Sequence, residues 1–183
     1  AAFASIIIGQ YASGTIEITG ATITGEVLNQ SSATLDASGN YWGTEQGPLA
    51  LTATSFGGSG PIVIYDWYTD SQKTCTNGLD KMVTWTPTGD NVSATTITLV
   101  FTTTVSLSTS ATVEIMIATG TSATTSTATV HLSEDGYTAT VEFTLGAPTT
   151  YTVIVPKGLF YVTIGNAKVL NREFQWTFTT VAG

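Results

Sequence analysis

Short runs of alternating apolar and polar residues, separated by glycines, dominate the first seventy residues. Residues 14–20 alternate cleanly, and residues 5–9, 21–25 and 26–29 form similar short segments. Alternation at a period of two is typical of half-buried strands, and segments this short suit the faces of a coiling solenoid better than long hairpins. Each rung of a solenoid contacts only its neighbours, so both of its ends need a cap.

Longer strands with a different spacing follow. They are predicted, in chain order, over residues 82–87, 95–101, 112–118, 127–132, 137–145, 151–155 and 173–180. Strands of this number and spacing over about a hundred residues are typical of an Ig-like sandwich. We therefore predict an all-β protein with a short β-solenoid-like (β-helix-like) domain over 1–72, a polar linker over 73–81 and an Ig-like β-sandwich over 82–183.

Two stretches of the first domain resemble a known family. One is the segment Asp36-Ala37-Ser38-Gly39-Asn40-Tyr41-Trp42-Gly43, and the other is Tyr65-Asp66-Trp67-Tyr68-Thr69-Asp70. Together they resemble the motif and the terminal stretch found near the C-terminal end of right-handed parallel β-helices in secreted and surface proteins. The resemblance covers residues 35–70 and implies a structural terminator of the solenoid.

Motifs of the second half resemble bacterial Ig-like domains of the S-layer type. The matching segments are Pro87-Thr88-Gly89-Asp90-Asn91-Val92 with residues 96–101, then residues 150–155, and finally Gly165-Asn166 with residues 174–180. This resemblance covers residues 82–180. Both resemblances imply an extracellular or cell-surface protein.

Composition narrows the possible functions. The 183 residues carry 5 Lys and Arg against 13 Asp and Glu, for a formal net charge of −8, and only 10% are charged while 42% are hydrophobic. This balance is atypical of a disordered chain. Acidity argues against nucleic-acid binding, which needs clustered Lys and Arg. No apolar run reaches the length of a membrane span, so none is predicted.

Catalysis must be considered, because polysaccharide lyases and glycosidases use parallel β-helices. Such enzymes need clustered carboxylates or a basic residue beside them. Residues 1–72 contain no Lys or Arg, and their acids occur singly. Asp66 and Asp70 flank Trp67 and Tyr68, which could form a sugar platform, although a capping role is favoured. We predict that the protein is not an enzyme and keep catalysis at Asp66 or Asp70 as the weakest alternative.

Signals for cofactors and modification are sparse. His131 is the single histidine and Cys75 the single cysteine, so no zinc-ligand spacing exists. No cofactor is predicted, although weak calcium binding by carboxylates and carbonyls stays open. The triplets that begin at Asn29 and Asn91 fit the N-glycosylation pattern, so these two residues are predicted as possible acceptors.

The first strand carries the main functional hypothesis. Phe3, Ile6, Ile7 and Ile8 would place an apolar edge at an open end of the solenoid, where it invites pairing with another chain. We predict an extracellular structural protein, the subunit of a cell-surface or filamentous assembly in which copies join head to tail by strand complementation. The alternative is the non-catalytic adhesin or carbohydrate-binding tail of a larger secreted β-helix protein, with glycans as partners.

Overall fold

The protein is almost entirely β-structure, as predicted. A computed structural model describes residues 1–93, 96–119, 122–146 and 149–181. Over these residues the only helices are 3₁₀ helices at Gly47–Ala50, Ala53–Ser55 and Leu79–Lys81. The chain forms two compact units, one from Ala1–Lys81 with Tyr161–Asn171 and the other from Met82–Phe160 with Arg172–Gly183.

Short strands build the first unit. Those within residues 1–81 are β1 (Ala2–Phe3), β2 (Ile6–Ile8), β3 (Thr15–Glu17), β4 (Thr22–Ile23), β5 (Val27–Asn29), β6 (Thr34–Asp36), β7 (Asn40–Tyr41), β8 (Phe56–Gly58), β9 (Ile62–Ile64), β10 (Trp67–Tyr68) and β11 (Thr76–Asn77). Every third strand up to β10 pairs in parallel, which gives the ladders β1-β4-β7-β10, β2-β5-β8 and β3-β6-β9. This is the predicted solenoid, with three faces and three successive rungs.

Parallel register stacks like residues above one another inside the solenoid. Ile6 lies opposite Val27, which lies opposite Phe56, and all three are buried. Leu35 and Ile62 stack in the same way on another face. Because side chains alternate across a strand, the short alternating segments of the sequence suffice to place one apolar column on each face.

The motif around Asn40 closes a corner of the solenoid. The buried Asn40 side chain donates hydrogen bonds to the carbonyls of Ile18 (2.5 Å) and Ala37 (2.8 Å) and accepts one from the N–H of Ala21 (2.9 Å). These three backbone groups belong to two neighbouring rungs. A corner turned inward would otherwise leave such groups unpaired, at a cost of about 1–3 kcal/mol each.

The remaining strands lie in residues 82–181. They are β12 (Val83–Thr86), β13 (Gly89–Val92), β14 (Ile97–Phe101), β15 (Ser106–Leu107), β16 (Thr112–Thr119), β17 (Ser122–Leu132), β18 (Thr138–Glu142), β19 (Thr150–Val155), β20 (Phe160–Ile164), β21 (Ala167–Leu170) and β22 (Phe174–Thr180). The alternation pattern did not predict β15, β20 or β21 as strands, and residues 87–92, which contain β13, were expected as a strand only through the resemblance to Ig-like domains. Strand β21 and most of β20 belong to the first unit.

Most strands of the second unit form one curled sheet, in the order β12-β14-β18-β17-β16-β19-β22-β13, and the short β15 lies outside it. The long strand β17 joins the two layers expected of an Ig-like sandwich, because Thr129 lies opposite both Thr112 of β16 and Glu142 of β18. Alternate residues on the inward side of the sheet are buried, among them Leu99 and Val153. The seven predicted strands are therefore present, within one continuous curled sheet.

One end of the solenoid is closed on all three faces. Strand β11 pairs antiparallel with β10, and β21 pairs in parallel with β9. The turn of the β20–β21 hairpin covers β8, since the N–H of Asn166 donates to the carbonyl of Phe56 (3.0 Å). At the same turn, a Cβ on Gly165 would overlap the carbonyl oxygens of Ala53 and Phe56, so only glycine fits there.

These contacts change the predicted domain boundaries. Residues 73–81 are part of the first unit rather than a linker, because they contain β11 and the buried Leu79. Residues 161–171 were expected in the sandwich but lie in the first unit, because β21 extends the sheet of β9. A solenoid needs its last rung covered, and a later segment of the chain supplies the cover.

We expect Val169→Ala to loosen the closed end. Val169 is buried and lies opposite Ile64, so losing two methyl groups should cost about 2 kcal/mol. Amide exchange at residues 62–64 should then accelerate by roughly thirtyfold. The control is Thr163→Ala, an exposed change in the same hairpin. Equal exchange rates in the two variants would show that the hairpin does not hold the last rung.

Candidate functional site at the open end of the solenoid

At the opposite end of the solenoid, no further rung is present among the described residues; this end is called the open end. Strands β1, β2 and β3 form the first rung, and each pairs with the second rung along one edge only. Their outer edges have no partner among the residues that the structure describes. Unpaired N–H and C=O groups on such edges form a template for further strands.

Backbone geometry in β2 shows which groups are available. The N–H of Ile6 donates to the carbonyl of Glu26 (2.9 Å), and the carbonyl of Ile8 accepts from the N–H of Gln30 (3.0 Å). Because alternate residues of a strand direct their polar groups to opposite edges, the N–H and C=O of Ile7 face the open edge. Ile7 therefore offers one donor and one acceptor to an incoming strand.

The structure separates the four predicted interface residues into different roles. Ile7 has a 63% exposed side chain on the outer surface of the solenoid, and Phe3 is 39% exposed. Ile8 is half-buried, whereas Ile6 is only 7% exposed and points into the core of its own unit. The Ile6 side chain is therefore not offered to a partner, because it lies buried opposite Val27. That Ile6 belongs to an assembly interface through the edge of its strand stays a prediction.

An apolar layer faces the open end. Phe3 lies opposite the buried Ile23, and Ile16 lies opposite the buried Leu35, so both occupy inward positions of the first rung. Ile16 and the nearby Ile18 are half-buried. Sequence reasoning missed these two residues, although their alternation with Glu17 in the run 14–20 carried the signal. In the part of the chain that the structure describes, no rung covers this layer.

Charged side chains are missing from the first two strands of this end, and the third strand carries Glu17. The first charged side chain in the sequence is Glu17, so residues 1–16 contain none. Natural edge strands are usually protected by lysine, proline or inward-pointing charges. The first rung carries none of these devices in β1 or β2.

A close contact at Gly25 holds the first strands in place. A Cβ at this position would overlap the carbonyl oxygen of Ala4, between β1 and β2, and would touch Ser5. The second rung therefore accepts residues 1–8 only because position 25 is glycine. The sequence places Gly25 between two strand segments, but only the fold shows which backbone approaches it.

The aromatic and acidic residues near position 66 are used within the fold. Trp67 is fully buried, and its indole N–H donates to the carbonyl of Glu45 (3.1 Å), so its ring offers no platform to a sugar. The Asp66 carboxylate accepts a hydrogen bond from the N–H of Gly39 (2.8 Å). An adjoining groove of about 350 Å³ is lined in part by Asp36, Asp66 and Tyr68.

The carboxylate of Asp70 organises the loop that follows it. It accepts hydrogen bonds from the N–H and hydroxyl of Thr74 and from the N–H of Cys75. Desolvation opposes ionisation of this carboxyl, but the hydrogen bonds together lower the pKa of Asp70. The contacts of Asp66 and Asp70 give both carboxylates structural roles, which agrees better with capping than with acid–base chemistry.

Asn29 is not available as a glycosylation acceptor. Its side chain is fully buried, and its amide nitrogen donates to the carbonyls of Ala33 (2.7 Å) and Pro61 (3.0 Å). This prediction is wrong because the corner of the solenoid uses the same amide as a backbone partner. The side chain of Asn91 lies outside what the structure describes, so acceptance of a glycan there stays a prediction.

Metal and membrane signals are also absent from the described residues. Within ranges 1–93, 96–119, 122–146 and 149–181, no group of three or more His, Cys, Asp and Glu is placed to hold a metal ion. His131 instead lies 3.1 Å from the Glu142 carboxylate, with both side chains exposed. No helix in these ranges is long and apolar enough to cross a membrane.

Comparison with known protein families, with curated proteins and with solved structures gives no match. The functional argument therefore rests on the geometry of the open end.

We expect Gly25→Ala to displace residues 1–8 from the second rung. The added methyl group would meet backbone rather than a flexible side chain, so the strands must move. Amide exchange at Ile6 should accelerate at least about tenfold, because its hydrogen bond to Glu26 would open. Gly9→Ala is the matched control, since a Cβ there meets nothing within 4 Å. Unchanged protection in Gly25→Ala would contradict the close contact.

Proposed function

We propose that this protein is a structural subunit of an extracellular assembly, at a cell surface or in a filament, joined by β-strand complementation at the first rung of its solenoid. The observation that carries the proposal is the contrast between the two ends of the first unit. The end at β8, β9 and β10 is covered on every face, whereas the outer edges of β1, β2 and β3 have no partner among the described residues.

Strand addition suits the chemistry of the open end. An incoming strand would gain main-chain hydrogen bonds from groups such as those of Ile7, and its inward side chains would cover Phe3 and Ile16. Burying apolar surface contributes about 25 cal/mol per Å², and backbone pairing gives direction and register. Neither the groove near Asp66 nor the surface around His131 combines open backbone edges with exposed apolar side chains.

Electrostatics favour a second copy as the partner. With a net charge of −8, two copies repel one another over most approaches. Residues 1–16, which include β1 and β2, contain no charged side chain, so these two strands of two copies can meet with only the Glu17 carboxylate of β3 nearby. The extracellular location follows from the family resemblances and from the low charge, and it is part of the same proposal.

The form of the assembly depends on where the complementing strand comes from. Head-to-tail joining leads to open filaments when the contact does not close on itself. Among the described residues, β8, β9 and β10 are covered at the closed end, so these three strands offer no edge to a neighbour. A head-to-tail filament would need a donor strand from another part of the neighbour.

One observation also favours the second candidate, the non-catalytic tail of a larger secreted β-helix protein that binds glycans. The first rung has unpaired strand edges and an apolar layer, which are the features that one rung presents to the next inside a longer solenoid. On this reading the isolated chain would bind glycans as a monomer. Retention on a glycan array by monomeric protein would support the tail, and polymers without glycan binding would favour the structural subunit.

We expect deletion of residues 1–10 to leave soluble monomers. The deletion removes β1 and β2, and with them the exposed Phe3 and Ile7. Sedimentation velocity over a range of protein concentrations should show association of the full chain and none of the truncated chain. The control is Gly9→Ala, which should associate as the full chain does. If the truncated chain assembled as well as the full one, complementation through the first rung would be wrong.

A further inference from the structure

We propose that the partner of the open end is the same open end of a second copy, related by a twofold axis, so that the first rungs of two solenoids pair head to head. The inference rests on the proposed function and specifies its partner. It follows from asking which edge strands of a second copy could reach and satisfy β1, β2 and β3.

The edge strands of the eight-stranded sheet and of the closed end are protected. Strands β12 and β13 lie at the two ends of the sheet of the second unit. Asp80 and Lys81 precede β12, Asp90 lies within β13, and Pro87 between them has no N–H to donate. At the closed end of the solenoid, the Lys81 ammonium donates to the Thr76 carbonyl of β11 (2.6 Å). Strands β1 and β2 contain neither a charged residue nor proline, and Glu17 is the one charged residue of the first rung, in β3. The edge strand β15 is also uncharged, but it offers a single edge of two residues and cannot pair with three faces at once.

Head-to-head placement matches the direction of the strands. All strands of the solenoid run in the same sense around its axis, as the parallel ladders show. Turning a second copy over reverses this sense, so each pair of edges across the interface becomes antiparallel. An antiparallel pair needs no crossover connection, and antiparallel pairing is slightly more stable per residue than parallel pairing.

A twofold axis through β2 satisfies the three faces together. Strand β2 would pair with β2 of the other copy, and β1 would pair with β3, because the axis exchanges the two remaining faces. The two Ile7 residues would lie opposite one another and exchange both backbone hydrogen bonds, since their N–H and C=O groups face the open edge. Their 63% exposed side chains would then form a cross-strand pair on the outer surface.

The apolar layers would cover each other in the same arrangement. Phe3, Ile16 and Ile18 of one copy would lie over those of the other and extend the core across the interface. The same patch serves both copies, which is the property of an isologous contact. Such a contact closes on itself, so the first rung alone gives dimers, and a filament requires a second contact elsewhere.

Cysteine cross-linking tests this arrangement directly. In a Cys75→Ser background, Ile7→Cys would place two thiols on residues about 5.5 Å apart at Cα, within the range of disulfide geometry. Oxidation by diamide removes two protons and two electrons from the thiols and forms the S–S bond, while diamide is reduced to the hydrazine. The matched control is Leu28→Cys in the same background. Leu28 lies beside Ile7 on the outer surface but in an inner strand.

We expect Ile7→Cys to form a covalent dimer at least about tenfold faster than Leu28→Cys, because pairing raises the effective concentration of the thiols. Circular dichroism would show that both variants fold, and sedimentation velocity without diamide would report their assembly state. If the protein associates but Ile7→Cys cross-links no faster than Leu28→Cys, the twofold pairing is wrong and the proposed assembly still holds. Monomers at every concentration, with no preferential cross-linking, would overturn both.

Discussion

Parallel stacking of short strands is the constraint on which the first unit depends. Each rung contributes only two or three residues per strand, and each strand is stable because it pairs with the rungs before and after it. An isolated rung could bury none of its apolar side chains. The first and the last rung of the stack must therefore be covered by something other than a neighbouring rung. In this solenoid a later hairpin covers the last rung, and the described residues place nothing over the first.

The closed end shows how a later part of the chain completes an earlier one. The hairpin of β20 and β21 comes from the second half of the sequence, but it belongs largely to the first unit. Its strand β21 pairs in parallel with β9, with Val169 opposite Ile64. Its turn covers β8 through Asn166 and fits closely because position 165 is glycine. The first unit is thus discontinuous in sequence, and its stability depends on residues about a hundred positions away.

The open end combines three features that rarely occur together on a monomer surface. Its backbone edges are unpaired among the described residues, its inward side chains are apolar, and residues 1–16 lack charged side chains. In an acidic chain, edges with so little charge are the basis of the proposed contact between copies. The acidic residues near Trp67 have structural hydrogen bonds instead, which removes the main argument for a sugar platform.

The sequence alone determined the all-β class and the short rungs of the solenoid, and it identified Phe3 to Ile8 as an apolar edge segment. Alternation and glycine spacing are local properties, so the sequence shows them directly. It could not show that Ile6 faces inward, that Asn29 is buried or that Gly25 admits the first strands. These depend on which backbone lies beside each residue. The β20–β21 hairpin was missed for the same reason: its residues pair with a distant strand, and only the tertiary structure brings them together.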